Sequence, residues 1–124
     1  MKQHIWIVDP DETVYSSVYK QLLKGSDFVL EQLNCAESLF LRLQETRPPD
    51  VIILEKWQPD MNGLRVCQLF RQLRNCHDIP VILVSEASGL TDSEQARQLG
   101  AFDYISKPFK ADYFQKCVQK AIQL

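Results

Sequence analysis

No apolar run in the 124-residue chain approaches the roughly 20 residues needed to cross a bilayer; the longest candidate, Val51 to Leu54, is far shorter. Nor is there the long apolar stretch of a signal peptide near the start, where Lys2 and His4 lead into Ile5-Trp6-Ile7-Val8 and then Asp9. Charge of one sign is not in excess: 14 basic and 16 acidic residues give a net charge of −2, with both signs interspersed. A domain that itself grips nucleic acid usually needs a basic stripe, so that role is not expected here. The four cysteines (Cys35, Cys67, Cys76, Cys117) form no C-x-x-C pair and do not cluster with His4 or His77, which argues against a zinc site and for reduced thiols. Repeats, linkers and low-complexity tracts are missing as well. The expectation is a single cytoplasmic domain over residues 1–124, with no membrane partner.

What is present is an average globular mix, 45% hydrophobic and 24% charged. Short Val- and Ile-rich runs, Ile5–Val8, Val51–Leu54 and Val81–Val84, each end in a polar residue: Asp9, Glu55 and Ser85. Runs without polar alternation suit strands buried on both faces of a parallel sheet. Phe28–Leu33 and Asp103–Ile105 are weaker strand candidates. Helical periodicity fills the gaps, from Glu12 to Lys24, Glu37 to Thr46, Leu64 to Arg74, Thr91 to Leu99 and Ala111 to Leu124. Pro48-Pro49 stops the second, Thr91-x-x-Glu94 reads as a capping box for the fourth, and Gly100 as its C-terminal stop.

Five strand–helix alternations imply an α/β fold with a doubly wound parallel sheet, right-handed crossovers and strand order 2-1-3-4-5. Sites in such folds lie at the carboxyl ends of the strands, near the switch point between the first and third. Asp9, Pro10 and Asp11 follow the first strand, Glu55 the third and Ser85 the fourth, with Lys107-Pro108 after the fifth. Singly, each suits a strand end or a helix cap. Together they place carboxylates, a hydroxyl and an ammonium at one edge.

Over essentially its whole length the sequence resembles the receiver domain of two-component response regulators, the CheY-like fold. The resemblance rests on Ile7-Val8-Asp9, Pro49-Asp50-Val51-Ile52-Ile53-Leu54 and Pro59-Asp60-Met61-Asn62-Gly63. It continues through Ile79-Pro80-Val81-Ile82, Ser85, Gly100-Ala101 and Asp103-Tyr104-Ile105-Ser106-Lys107-Pro108-Phe109. It implies phosphoryl transfer from a histidine kinase to an Asp ending the third strand. It also implies magnesium on acidic residues after the first strand, on that Asp, and on a carbonyl two residues beyond. A Ser or Thr and a Lys then hold the phosphoryl oxygens, whose charge must be neutralised and aligned.

Carried over residue by residue, the acceptor position holds Glu55. One more methylene moves that carboxylate outward, where small misplacements are costly. Pro10 replaces the second acid, leaving a degenerate metal set of Asp9, Asp11, Glu55 and the carbonyl of Trp57, whose ring sits where it would cover the pocket. Asp11 suits helix capping as well as metal. Glu86 follows Ser85 where the family commonly has Ala, adding bulk and repulsion. Ser85, Lys107 and Tyr104 keep the switch positions, although Tyr104 equally suits packing against the fourth helix.

The resulting expectation is an atypical receiver, not an enzyme, that acts as a phosphorylation-independent protein-interaction module. It uses the fourth helix, fifth strand and fifth helix, with Lys110 and Tyr113 exposed. Partners would be a histidine kinase or another signalling protein, and no cofactor is expected beyond weak Mg2+. The alternative is a phosphorylatable, Mg2+-dependent receiver, either stand-alone or the front of a regulator with a DNA-binding or other output domain. A small-ligand or nucleotide binder on the same scaffold is disfavoured, because Asp9-Pro10-Asp11 stands after the first strand where a Gly-rich phosphate loop would be.

Overall fold

The structure, a computed structural model, describes residues 2–24, 27–86 and 90–123. Five strands form one parallel sheet in the order β2-β1-β3-β4-β5: β1 (Gln3–Val8), β2 (Phe28–Leu33), β3 (Val51–Glu55), β4 (Val81–Ser85) and β5 (Asp103–Ser106). This is the expected order. Successive side chains of a strand point to opposite faces, and here both faces are covered. Ile5, Ile7, Val51, Ile53, Ile82, Val84 and Ile105 pack on one side, with Tyr19 and Phe114. Trp6, Val8, Ile52, Leu54 and Leu83 pack on the other, with Leu39, Val66 and Phe70. Double coverage is why these runs show no polar alternation until the chain leaves the sheet.

Helix α1 covers residues 12–22 and departs from the expected uniform period. It consists of an α turn (Glu12–Val14), a π-helical stretch (Tyr15–Tyr19) and a second α turn (Lys20–Leu22), the Lys20 N–H donating to the Tyr15 carbonyl five residues back. Helix α2 is Ala36–Glu45. Helix α3 is Gly63–Phe70, capped by Asn62, whose side-chain oxygen accepts the Leu64 N–H at 2.8 Å. It stops four residues short of the expected Arg74. Leu73 is exposed and supplies no anchor, and the chain proceeds through three-residue turns, Gln72 to Leu69 and Cys76 to Leu73.

Helix α4 is Leu90–Gln98 and ends as its sequence suggests. Gly100 takes φ 110°, Ala101 N–H bonds the Ala96 carbonyl and Gly100 N–H the Arg97 carbonyl, a complete Schellman motif. The helix already includes residue 91, and the Thr91 side chain of the expected capping box lies outside the described residues. Helix α5 is Ala111–Ile122.

Ile53 lies in the central strand with no exposed surface. Ile53→Ala is expected to cost about 2–5 kcal/mol in denaturant unfolding, as a large-to-small core change with incomplete collapse. A loss below about 1 kcal/mol would contradict this account of the sheet's interior.

Candidate functional site

The parallel register brings the carboxyl ends of β1, β3, β4 and β5 level. Val8 faces Leu54, Glu55 faces Val84, and Ser85 faces Ser106. Lys107 then donates its backbone N–H to the Ser85 carbonyl at 2.8 Å, so the ladder itself delivers its side chain to the end of β3.

There Lys107 Nζ lies 3.2 Å from Glu55 Oε2, with the Glu55 side chain 11% exposed and that of Lys107 23%. The contact is an ion pair by distance, but it is not aligned as a hydrogen bond, and Oε2 has no hydrogen-bond partner. Burial raises the Glu55 pKa, the Lys107 ammonium pulls it down, and the charges of Asp9 and Glu86 raise it again; the net displacement is upward. Desolvation and like charge therefore outweigh the ion pair.

Asp9 is 97% buried, with a relative exposure of 3%. Its Oδ1 accepts the Asp11 N–H at 2.9 Å, while Oδ2 is buried without a partner. Its backbone is pinned to β2, its N–H to the Leu33 carbonyl and its carbonyl to the Gln32 amide. Pro10 is exposed and contributes no carboxylate. Asp11 resolves to the cap: its Oδ1 accepts from Thr13 N–H (2.9 Å) and Val14 N–H (3.2 Å) at the start of α1. Trp57 is 57% exposed and offers its face to the Lys56 ammonium at 5.0 Å. Its ring is turned to solvent, a correction to the cover over the pocket that its position suggests.

Ser85 is fully buried, whereas Glu86 beside it is exposed. Tyr104 is buried and belongs to the same core cluster as Val81, Leu83, Ala101 and Ala96 of α4. Tyr113 is 50% exposed and Lys110 is exposed at the start of α5. Asp103 joins this face together, pairing with Arg97 at 3.1 Å and accepting from Cys117 Sγ at 3.4 Å.

Two supporting side chains have roles that no sequence rule predicts, although Asp60 lies in the Pro59–Gly63 motif. The Gln58 amide donates to the carbonyls of Val8 (2.9 Å) and Glu55 (2.6 Å), tying the ends of β1 and β3. Asp60 accepts the N–H groups of Ala36 (3.1 Å) and Glu37 (2.8 Å), capping α2 from a distant loop; burial pushes its carboxyl up, but these bonds hold it below its usual range. Neither follows a spacing rule: Asp60 acts on backbone groups 23 and 24 residues away, and Gln58 joins a nearby carbonyl to one 50 residues back in the chain.

Comparison with known proteins decides the family. A family model described as the response regulator receiver domain matches residues 5–119. The chain belongs to the response-regulator receiver family. It is 34% identical over 120 residues to the DNA-binding transcriptional regulator NtrC of Escherichia coli K12, covering 95% of this chain and 24% of that protein. It is 31% identical over 110 residues to the DNA-binding response regulator MtrA of Mycobacterium leprae, covering 89% and 47%. This receiver thus spans less than half the length of these curated relatives. Among solved structures, the signal receiver domain of a signal transduction histidine kinase from Syntrophus aciditrophicus superposes with a TM-score of 0.85 at 27% identity, covering 98% of this chain and 90% of that one. A CheY-like receiver domain protein from Methanospirillum hungatei JF-1 has the same fold, with a TM-score of 0.84 at 23% identity and coverage of 99% and 95%.

The family implies magnesium, which prefers near-octahedral oxygen coordination. The residues here fit it poorly. Asp9 Oδ2 is a free carboxylate oxygen, but Pro10 supplies none, Asp11 Oδ1 caps α1, and Glu55 Oε2 faces an ammonium. Among the described residues no group of three or more His, Cys, Asp or Glu side chains is arranged to hold a metal.

The Glu55 carboxyl yields a prediction. Its raised pKa means that its contribution to stability is fully present below the ordinary value of about 4.5 and is lost as pH rises through the folded-state value. A carbon-detected NMR titration should place Glu55 above ordinary glutamates, and Lys107→Met should move it higher still. A value at or below the ordinary range would mean that the ion pair outweighs burial.

Proposed function

We propose that this receiver works as a phosphorylation-independent protein-interaction module in signal transduction. The observation supporting this most is the Glu55–Lys107 pair at 3.2 Å. In the family's scheme the lysine holds a transferred phosphoryl group; here it faces a permanent carboxylate. Phosphoryl transfer depends on positioning and charge neutralisation, and both suffer here. The longer Glu55 side chain displaces the acceptor oxygen, and Glu86 adds negative charge near an incoming dianion.

A carboxylate copies a phosphoryl group only in part, having fewer oxygens and less charge. Its effect on a two-state switch is limited to its differential interaction with the two states. The resting conformation is therefore set by the pocket, and output is controlled by a partner on α4, β5 and α5. Tyr113 is the exposed aromatic anchor there and Lys110 the adjacent cation. The partner is another signalling protein, including a histidine kinase or an output domain of a longer regulator. This domain makes no direct contact with nucleic acid or membrane and works in the cytoplasm. No helix among the described residues is long and apolar enough to cross a membrane.

One observation favours the second reading, a phosphorylatable receiver: the buried, unpartnered Asp9 Oδ2 is an oxygen suited to a cation. Incubation with acetyl phosphate and magnesium, followed by intact-mass spectrometry, separates the two. No phosphoryl adduct is expected. An adduct mapped to Glu55 or a neighbouring acid would overturn the proposal.

Magnesium is expected to bind weakly, with no saturable heat in a low-millimolar calorimetric titration. Pro10→Asp combined with Glu55→Asp should restore affinity by returning two carboxylates to the family geometry. Tight wild-type binding that Asp9→Ala abolishes would contradict this.

A further inference from the structure

A cavity of about 580 Å³ opens beside the Glu55–Lys107 pair, between α1 and the segment that follows β5. Val14, Val18, Tyr19, Pro108 and Phe109 give it an apolar wall, with Glu86 and Lys107 as its charged lining residues. The aromatic side is built, not incidental. Tyr19 stacks near Phe109 (centroids 6.5 Å apart), and Phe109 stacks on Phe114 (5.1 Å), which also meets Tyr19 (5.8 Å). Val18 and Tyr19 lie in the π-helical stretch of α1, and such stretches are frequent where a helix shapes a functional site. The size and lining are those of small-molecule pockets, apolar with a few polar groups at one end.

The charge at that end selects the ligand. Lys107 is already offset by Glu55 at 3.2 Å. Asp9 lies behind, 97% buried, with one carboxylate oxygen unpartnered, and its charge reaches both Glu55 and Tyr19. Three carboxylates, of which Glu86 lines the cavity and Asp9 and Glu55 lie behind it, thus interact around one ammonium. An anion would meet net repulsion. A cation would relieve it.

We propose that this cavity binds a small organic amine, with its aromatic or aliphatic body against Val14, Val18 and Phe109 and its ammonium toward Glu86 and the Glu55–Lys107 pair. The bound ammonium competes with Lys107 for Glu55, which links occupancy of the cavity to the family's switch lysine. The inference does not require Glu55 to escape phosphorylation, so it stands or falls separately from the reading above.

Titration of the 15N-labelled chain with 2-phenylethylamine, 2-phenylethanol and 3-phenylpropionate tests it. Saturable shifts at Val14, Val18, Tyr19, Lys107 and Phe109 are expected with the amine. The alcohol should bind at least about threefold more weakly, and the carboxylate should give no saturable response. Glu86→Gln, at an exposed position, should weaken the amine about threefold while leaving the alcohol unchanged. Val18→Trp should block all binding by filling the cavity; Val14→Trp serves if that variant does not fold. Equal affinity for amine and alcohol, tighter binding of the carboxylate, or no saturable shift with the amine would each overturn the proposal.

Discussion

The strand that carries Glu55 has no exposed residue before it: Val51, Ile52, Ile53 and Leu54 are all fully buried. That constraint governs the rest of the molecule. A strand covered on both faces must lie in the middle of a sheet with helices on either side, and parallel pairing levels the carboxyl ends of its neighbours. Polar residues can then appear only where the strands run out, and four strands run out together. The site is the place where the doubly covered middle of the sheet meets solvent.

Charge at that edge is arranged in opposition rather than satisfied. Lys107 is held by its backbone bond to Ser85, so its ammonium arrives at Glu55 through the geometry of the ladder. Yet Glu55 remains harder to ionise than an ordinary glutamate, because burial and the charges of Asp9 and Glu86 work against the one cation. Partly buried ion pairs often return little net stability after desolvation, but separating them leaves an uncompensated charge.

The supporting structure uses backbone groups more than side-chain pairs. Gln58 bridges the carbonyls of Val8 and Glu55, Asp60 caps α2, and Asp11 caps α1. These three polar side chains serve as local scaffolding by binding main-chain groups.

The sequence by itself determined the sheet and its order, because burial on both faces forces unbroken runs of Val, Ile and Leu, and alternation with helical periods forces parallel crossovers. It also determined which positions meet at the edge, since strand ends are marked by the first polar residue, and it placed Gly100 at its helix end because only that geometry needs a positive φ. Only the tertiary structure decided that Asp11 caps α1, that Tyr104 is buried in one cluster with Ala96 of α4, and that Trp57 turns outward onto Lys56. It alone revealed the π-helical stretch of α1, the role of Gln58 and the cavity beside Lys107. The reason is physical: periodicity records which side of an element is buried, but side-chain direction depends on partners distant in the chain, and those partners share no period.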